Sequence, residues 1–208
     1  MPTYNSKVFD CTTIQQAKAI ILTPENGVSV DDRWISETNW LLPLLLKHFT
    51  KRPGLVLDFG CGIGRISKEL SANGLTCVGV DASSSMRKFA AQDVPSPAFS
   101  AISPQVLTAL TQNGAQFDYA ISIWVLQHCL DLEVDAGKII QALKPGGKLF
   151  VLDMKFRALP TDIGWCNDGK DVAGFLKSKL NLIAEYPYNP PNAPTNLLTS
   201  SWIGVFEK

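Results

Sequence analysis

The sequence lacks a long apolar run, a CxxC cysteine pair and an excess of charge of either sign. Its densest apolar stretch, residues 40–46, is far shorter than the roughly 20 residues that a membrane helix needs. The first residues show no basic start followed by an apolar core, so we expect neither a signal peptide nor a membrane partner. With 19 basic and 19 acidic residues, binding of nucleic acid by bulk electrostatics is disfavoured, although a local patch stays open.

The cysteines and the overall composition indicate a compact protein of the cytoplasm. The 208 residues include 5 scattered cysteines, an odd number without zinc-ligand spacing, which predicts reduced thiols rather than disulfides. Hydrophobic residues make up 46% of the chain and charged residues only 18%, which excludes a disordered chain. The length suits one compact domain.

Two parts of the chain differ in their hydrophobic pattern. Residues 1–50 predict a helical cap, with helices over residues 12–22 and about 31–49, the second kinked at Pro43. Residues 51–208 predict the core, in which short apolar runs alternate with helical stretches. The predicted strands cover residues 55–59, 76–80, 98–102, 117–124 and 148–154. This alternation predicts a parallel sheet with helices on both faces.

The end of the chain follows another pattern. After a helix near residues 170–179, strands are predicted over residues 180–188 and 201–208. A loop rich in Pro and Asn joins them, and we expect no helix there. Two strands without a crossover helix predict an antiparallel pair at the edge of the sheet.

A glycine-rich loop between a strand and a helix carries the first functional signal. Gly60 and Gly62 permit a tight turn and a close approach of the backbone to a ligand. The helix behind them offers free N–H groups to a negative group. Asp81 ends the next strand, 21 residues after Gly60, and can accept hydrogen bonds from both ribose hydroxyls of a nucleoside. The alternative is a tight turn with a surface Asp.

The same loop argues against a dinucleotide. A dinucleotide fingerprint places Gly or Ala at position 65, where this chain has Arg65. Asp58, two residues before the first glycine, is a poor neighbour for a pyrophosphate. It suits a cationic ligand, or it orients the glycine loop. A nucleotide-dependent dehydrogenase is therefore our third hypothesis.

Four stretches, in this order, resemble the class I S-adenosylmethionine-dependent methyltransferases. They are VLDFGCGIGR (56–65), GVDASSSM (79–86), FDYAISIWVLQHC (117–129) and LKPGGKLFVLD (143–153). With the terminal strand pair, the resemblance covers residues 55–208. Within that class, the chain is similar to the branch that includes the ubiquinone-biosynthesis O-methyltransferases. The resemblance implies a single-domain α/β fold: a Rossmann-like, seven-stranded, mostly parallel sheet with an antiparallel terminal strand and helices on both faces.

The resemblance also implies a cofactor, S-adenosyl-L-methionine, which leaves as S-adenosyl-L-homocysteine, and the residues that hold it. Asp81 would hold the ribose and Arg33 the methionyl carboxylate. Relatives often carry an acid after the third strand, where this chain has Ile102 and Ser103, so backbone groups and apolar packing would hold the adenine. The full set is Arg33, Asp58, Gly60, Cys61, Gly62, Asp81, Ala82, Met86, Ile102, Ser103, Ile123 and Trp124.

The sequence gives fewer signals for the part of the site that would bind the methyl acceptor. His128, just beyond the fourth strand, is the candidate general base, and a packing or helix-cap role is its alternative. Relatives that bind magnesium have an Asp at the end of that strand, whereas this chain has Ile123 and Trp124, so we expect no metal. Trp165 is a candidate rim of the acceptor pocket, which a solvated loop explains equally well.

The sequence therefore favours a methyltransferase that acts on oxygen, nitrogen or carbon of a small molecule. A protein acceptor is the alternative within that class. The second class of function is a non-catalytic scaffold that has kept the fold. The presence of Gly60, Gly62 and Asp81 together argues against it, since a non-catalytic module has no physical need for all three. The sequence carries no signal for the oligomeric state.

Overall fold

The elements follow one another along the chain much as the hydrophobic pattern predicts. The computed structural model describes residues 2–24 and 27–208. Its strands are β1 (Gly54–Phe59), β2 (Leu75–Val80), β3 (Phe99–Ile102), β4 (Phe117–Ile123), β5 (Leu143–Met154), β6 (Leu159–Thr161), β7 (Gly164–Cys166), β8 (Asn181–Tyr186) and β9 (Ser201–Glu207). Its α-helices are α1 (Ile14–Ile21), α2 (Val30–His48), α3 (Arg65–Ala72), α4 (Ser84–Asp93), α5 (Pro104–Gln112), α6 (Leu132–Ala142), α7 (Val172–Lys177) and α8 (Thr195–Ser200). Two short 3-10 helices cover Ser6–Phe9 and Leu126–His128.

A seven-stranded sheet in the order β3-β2-β1-β4-β5-β9-β8 forms the centre of the molecule. The strands from β1 to β5 are parallel, and β9 lies antiparallel between β5 and β8. Helices connect the parallel strands, as parallel pairing requires. The predicted fold is thereby confirmed: an α/β, Rossmann-like sheet, mostly parallel, with an antiparallel terminal strand.

Each central strand contributes side chains to two apolar layers, because successive side chains point to opposite faces of a sheet. In β5, Leu149 and Val151 face the layer that α5, α6 and α7 cover. Phe150 and Leu152 face the other layer, beneath α2 and α3. All four side chains are fully buried. Helices on both faces are therefore confirmed, and they explain why the strands are almost continuously apolar.

Three local features differ from the sequence prediction. β5 begins five residues earlier than predicted, because Leu143 pairs with Phe117 at the start of β4. The expectation of no helix between β8 and β9 is wrong: α8 lies there, entered from Pro194, whose fixed φ suits the start of a helix. Residues 159–166 form the β6–β7 hairpin, which had no predicted structure.

The N-terminal residues lie over the carboxyl edge of the sheet. Tyr4 forms an isolated bridge with Thr161 of the hairpin, and the Asn5 N–H donates to the Pro160 carbonyl at 2.9 Å. α2 instead packs into the sheet layer through Leu41 and Leu45, so the boundary at residue 50 stays a prediction. Within the described ranges, every helix is too short or too polar to cross a membrane.

We predict that Leu45→Ala destabilises the protein far more than Ile35→Ala on the same helix. Leu45 is fully buried, and its truncation leaves a cavity that costs about 2–5 kcal/mol. Ile35 is 62% exposed, and its truncation changes the free energy of unfolding by about 0.5 kcal/mol or less. Urea denaturation of both variants measures the difference. Equal losses would contradict the packing of α2 against the sheet.

Candidate functional site

A cavity of about 860 Å³ opens at the carboxyl ends of the parallel strands, where open α/β sheets bind their ligands. We name the two ends of the cavity after the nearest strands, β2 and β5. The β2 end is lined by Phe59, Gly60, Gly62, Val80, Asp81, Ala82, Ser83, Ser84 and Met86. The β5 end is lined by Tyr4, Ser6, Val8, Phe9, Gln127, His128, Cys129, Asp135, Met154, Phe156, Ala158 and Trp165. β2 and β5 are three strand spacings apart, or ~14 Å. The cavity is therefore long enough for two ligands side by side.

The structure brings most of the predicted site residues to this cavity. Those that line it are Arg33, Gly60, Gly62, Asp81, Ala82, Met86, Ile123, Trp124 and His128. Four others do not line it. Asp58 is buried behind the loop and accepts a hydrogen bond from Ser67 at 2.7 Å, and burial raises its pKa to about 6. Cys61 packs beneath the loop against Gly79. Ile102 ends β3, and Ser103 caps α5 by accepting the Val106 N–H.

The backbone of the glycine loop forms a cradle, and a side chain at either of its glycines would overlap neighbouring residues. Gly60 and Gly62 have φ of +80° and +53°, in the left-handed region that favours glycine. A Cβ at Gly60 would overlap the Val125 side chain, and a Cβ at Gly62 would lie 2.5 Å from Ile21 Cδ1. Both positions therefore need glycine, for conformation and for space.

Asp81 connects this cradle to the start of α4. Its Oδ2 accepts the Gly62 N–H and its Oδ1 accepts the Ser83 N–H, each at 2.9 Å. Burial raises the pKa of the carboxyl, while the two backbone donors favour its charged form. Each oxygen keeps acceptor capacity after one hydrogen bond. The carboxylate is thus oriented by the protein and can still accept from a ligand in the cavity.

A buried ionic cluster lies beside the loop, with Glu37 at its centre. Glu37 Oε1 accepts from Arg65 Nη2 and from Trp124 Nε1, both at 2.9 Å. Glu37 Oε2 accepts from the Tyr188 hydroxyl at 2.5 Å and lies 3.6 Å from Arg33 Nη2. Arg33, Glu37 and Arg65 are each at most 5% exposed. The two guanidinium groups share the carboxylate of Glu37, and Arg65 also interacts electrostatically with the buried carboxyl of Asp58.

Arg33 carries the less compensated of these two charges. Its Nη1 donates to the Thr23 carbonyl at 2.5 Å, but its buried Nε has no hydrogen-bond partner among the described residues. Burying a charged donor without a partner is costly. Because Arg33 also lines the cavity, its guanidinium charge can attract an anionic group of a ligand.

Trp124 is held in a backbone conformation that is rare for an aromatic residue. Its φ is +62°, and such left-handed residues cost about 1–3 kcal/mol and cluster at functional sites. The hydrogen bond from its indole to Glu37 holds the side chain at the cavity wall. The end of β4 is thereby coupled to α2.

His128 has a protein partner on each ring nitrogen. Its Nδ1 lies 2.6 Å from the Ala158 carbonyl, so this nitrogen carries the proton. Gln127 Oε1 accepts the Met154 N–H at 2.6 Å, which leaves the Gln127 amide nitrogen to donate to His128 Nε2 at 2.9 Å. Burial lowers the pKa of His128. The imidazole is therefore neutral, and its lone pair is already bound.

Arg157 fixes the turn that carries His128, and the sequence carried no signal for it. The guanidinium is 1% exposed and donates to the carbonyls of Leu126 and Cys129. Its Nε lies 3.2 Å from Asp168 Oδ1. The segment around Arg157 has no periodic pattern that would mark a buried side chain.

Glu37 was also missed, although its spacing contains a signal. Arg33, Glu37, Leu41 and Leu45 recur at intervals of four on α2, which is one face of a helix. Because Leu41 and Leu45 are apolar, that face is the buried one. The charged residues in the same register are therefore predictable as a buried pair.

We find no metal-binding cluster of three His, Cys, Asp or Glu side chains in residues 2–24 and 27–208. The expectation of a metal-independent site stays a prediction.

The sheet order, the glycine loop and the acid after β2 define the class of nucleotide-binding α/β proteins. Within that class, the sequence model of a family described as "Methyltransferase domain" matches residues 32–179. The chain therefore belongs to this methyltransferase family, and its resemblance to the class I S-adenosylmethionine-dependent methyltransferases is confirmed.

Individual relatives cover less of the chain than the family model does. A ubiquinone biosynthesis O-methyltransferase of Chelativorans sp. is 32% identical over 100 residues, which are 46% of this chain and 38% of that protein. An uncharacterized methyltransferase of Schizosaccharomyces pombe is 32% identical over 120 residues, 52% of this chain and 42% of the relative. The chain thus spans less than half the length of these two curated relatives.

A solved structure supports the fold over almost the whole chain. The N-methyltransferase NodS of Bradyrhizobium japonicum, in complex with S-adenosyl-L-homocysteine, has a TM-score of 0.68 at 18% identity. The match covers 93% of this chain and 97% of NodS. At this level of identity, the likeness shows the fold.

We predict that Glu37→Gln strongly destabilises the protein. The substitution leaves two buried guanidinium groups without a counter-charge, and breaking a buried ion pair in this way costs about 3–5 kcal/mol. Denaturant unfolding measures the loss. The control is Glu133→Gln, which removes an exposed ion pair with Lys170 and should change the free energy of unfolding little. Equal effects would contradict the role of Glu37 as a buried counter-ion.

Proposed function

We propose that the protein transfers a methyl group from S-adenosyl-L-methionine to a small molecule. When bound, this cofactor supplies a methyl group on a sulfonium sulfur and leaves as S-adenosyl-L-homocysteine. The main support for the proposal is that one cavity brings together the glycine cradle, the Asp81 carboxylate and the Arg33 guanidinium. These three groups match the three parts of an amino-acid nucleoside: its chain, its ribose hydroxyls and its carboxylate.

We assign the cofactor to the β2 end of the cavity. Arg33 would attract the carboxylate through its guanidinium charge, and Asp81 would accept from the ribose hydroxyls. Ala82 and Met86 would contact the adenosine, and Ile123 and Trp124 would wall the methionyl part. Cys61, Ile102 and Ser103 would support the site only through the backbone. Asp58 would orient the loop rather than touch the cofactor, since it bonds to Ser67 of α3.

The two named relatives act on different atoms, oxygen for the ubiquinone biosynthesis enzyme and nitrogen for NodS. We therefore leave the methylated atom as oxygen, nitrogen or carbon. A small molecule is the proposed acceptor, because the β5 end belongs to the same cavity of about 860 Å³, which has the size of a small-molecule site. A protein acceptor and a non-catalytic scaffold are the alternatives. The scattered thiols support a cytoplasmic location.

The N-terminal residues would form the cap over this site. Tyr4 at one end contacts the hairpin, and Asp10 at the other accepts a hydrogen bond from Ser83 at 2.7 Å. The segment between them therefore spans the cavity from the β5 end to the β2 end. Such a cap excludes water from the reacting groups, which strengthens every electrostatic interaction inside.

His128 is our candidate general base. Its hydrogen bonds determine what must change before it can take up a proton. The lone pair on Nε2 accepts from Gln127, so the Gln127 amide must release it before His128 can take a proton. Methyl transfer itself depends mainly on alignment of the nucleophile with the methyl group. A base is needed only when that nucleophile carries a proton.

We predict that Asp81→Ala weakens binding of S-adenosyl-L-methionine by about 1.5–3 kcal/mol, the scale of hydrogen bonds to a charged group. Isothermal titration calorimetry measures the change. Asp93→Ala is the control, because Asp93 forms a surface ion pair with Lys68 and does not line the cavity. Unchanged affinity in the Asp81 variant would remove our placement of the ribose.

We predict that His128→Ala lowers kcat by about 100-fold or more, the scale of general-base catalysis, while the affinity for S-adenosyl-L-homocysteine stays the same. The pKa of His128 lies below its ordinary 6.5, because burial disfavours the charged ring. The wild-type rate should therefore hold as the pH falls to 6.5 and decline only below it. A variant that loses thermal stability but keeps its kcat would favour the packing role.

A further inference from the structure

The β5 end of the cavity is walled by aromatic rings in mutual contact. The His128 ring lies 5.6 Å from the Phe9 ring and 5.1 Å from the Trp165 ring, measured between centroids. Phe9 and Trp165 are 6.4 Å apart, which closes the triangle. These separations fall in the range of favourable aromatic pairs. Trp165 is nevertheless 60% exposed, so much of its ring is free to cover a ligand.

Four polar side chains at this end already have hydrogen-bond partners in the protein: Tyr4, Gln127, His128 and Cys129. The Tyr4 hydroxyl donates to the His128 carbonyl at 3.2 Å, and Cys129 Sγ donates to the Val125 carbonyl at 3.6 Å. His128 and Gln127 bind each other and the backbone. These groups therefore have no strong preference for a polar ligand body.

The β5 end carries little charge, and that charge is negative. Among the described residues that line the β5 end, Asp135 is the one formally charged side chain, and Lys138 pairs with it at 2.7 Å. The nearby guanidinium of Arg157 is buried and committed to two carbonyls and Asp168. A phosphate or carboxylate placed here would lose water without gaining a cation, which is unfavourable.

We propose that the methyl acceptor is an uncharged, planar aromatic compound held by Phe9, His128 and Trp165. This inference rests on the proposed function, which assigns the β2 end to the cofactor and leaves the β5 end to the acceptor. Rings along one wall favour a flat ligand, because stacked and edge-to-face contacts add to the area that is buried. Among the described residues that line the β5 end, none supplies an unpaired cation, which disfavours anionic acceptors such as nucleotides and aromatic acids.

Three matched probes test the inference: 2-naphthol, 2-naphthoate and decahydro-2-naphthol. The first is planar and uncharged, the second planar and anionic, and the third uncharged but not planar. Titration calorimetry of each, with and without saturating S-adenosyl-L-homocysteine, measures their affinities. We expect 2-naphthol to bind at least about tenfold more tightly than either of the others. Equal or tighter binding of 2-naphthoate or of the saturated alcohol would overturn the inference.

Variants on the hairpin assign the binding to the rings. Trp165→Ala should weaken binding of 2-naphthol by about three- to tenfold, the scale of one aromatic pair, and leave the affinity for S-adenosyl-L-homocysteine unchanged. Ile163→Ala is the control, since Ile163 is 74% exposed at the hairpin turn and does not line the cavity. An unchanged affinity for 2-naphthol in the Trp165 variant would overturn the assignment to this end.

The two proposals fail differently. If S-adenosyl-L-homocysteine does not bind, the proposed function fails, and the probe series without it still tests the ring-lined end. If S-adenosyl-L-homocysteine binds and 2-naphthol shows no advantage, the acceptor class is wrong and the methyltransferase proposal stands.

Discussion

The buried charge of Glu37 is the constraint on which the rest of the site depends. A carboxylate at 1% exposure is tolerable only when it is paired and hydrogen-bonded, and Glu37 has partners on both oxygens. Those partners come from distant parts of the chain: Arg65 is 28 residues away, Trp124 is 87 and Tyr188 is 151. One side chain thus holds α2, the helix after the glycine loop, the end of β4 and the loop after β8 in a single arrangement.

The two ends of the cavity differ in charge, and this difference divides their roles. At the β2 end, Asp81 and Arg33 present one carboxylate and one guanidinium with unused hydrogen-bonding capacity. At the β5 end, rings line the wall, and the polar groups of Tyr4, Gln127 and His128 are engaged by the protein. A zwitterionic nucleoside therefore suits the first end and an apolar ring the second. Both ends belong to one cavity, and Gly60 and Trp124, which follow the intervening strands β1 and β4, line it as well.

Much of the fold was predictable from local pattern, whereas the support of the site was not. Buried parallel strands are continuous apolar runs, and Gly60, Gly62 and Asp81 stand at strand ends that the pattern locates. The direction of the side chains next to the loop could not be predicted from this pattern. Asp58 and Cys61 lie beside the glycines in sequence but point away from the cavity. The Arg65 contact with Glu37 is tertiary and has no local signal. The β6–β7 hairpin is three residues a strand, too short for a recognisable alternation.

The measurement that tests this account most directly is a calorimetric titration with four ligands: S-adenosyl-L-methionine, S-adenosyl-L-homocysteine, 5′-methylthioadenosine and NAD. The account predicts micromolar binding of the first two and no binding of NAD. It predicts binding of 5′-methylthioadenosine at least about tenfold weaker, because that compound lacks the carboxylate that Arg33 would bind. Binding of NAD in preference to the sulfur ligands, or equal affinity for 5′-methylthioadenosine, would contradict it.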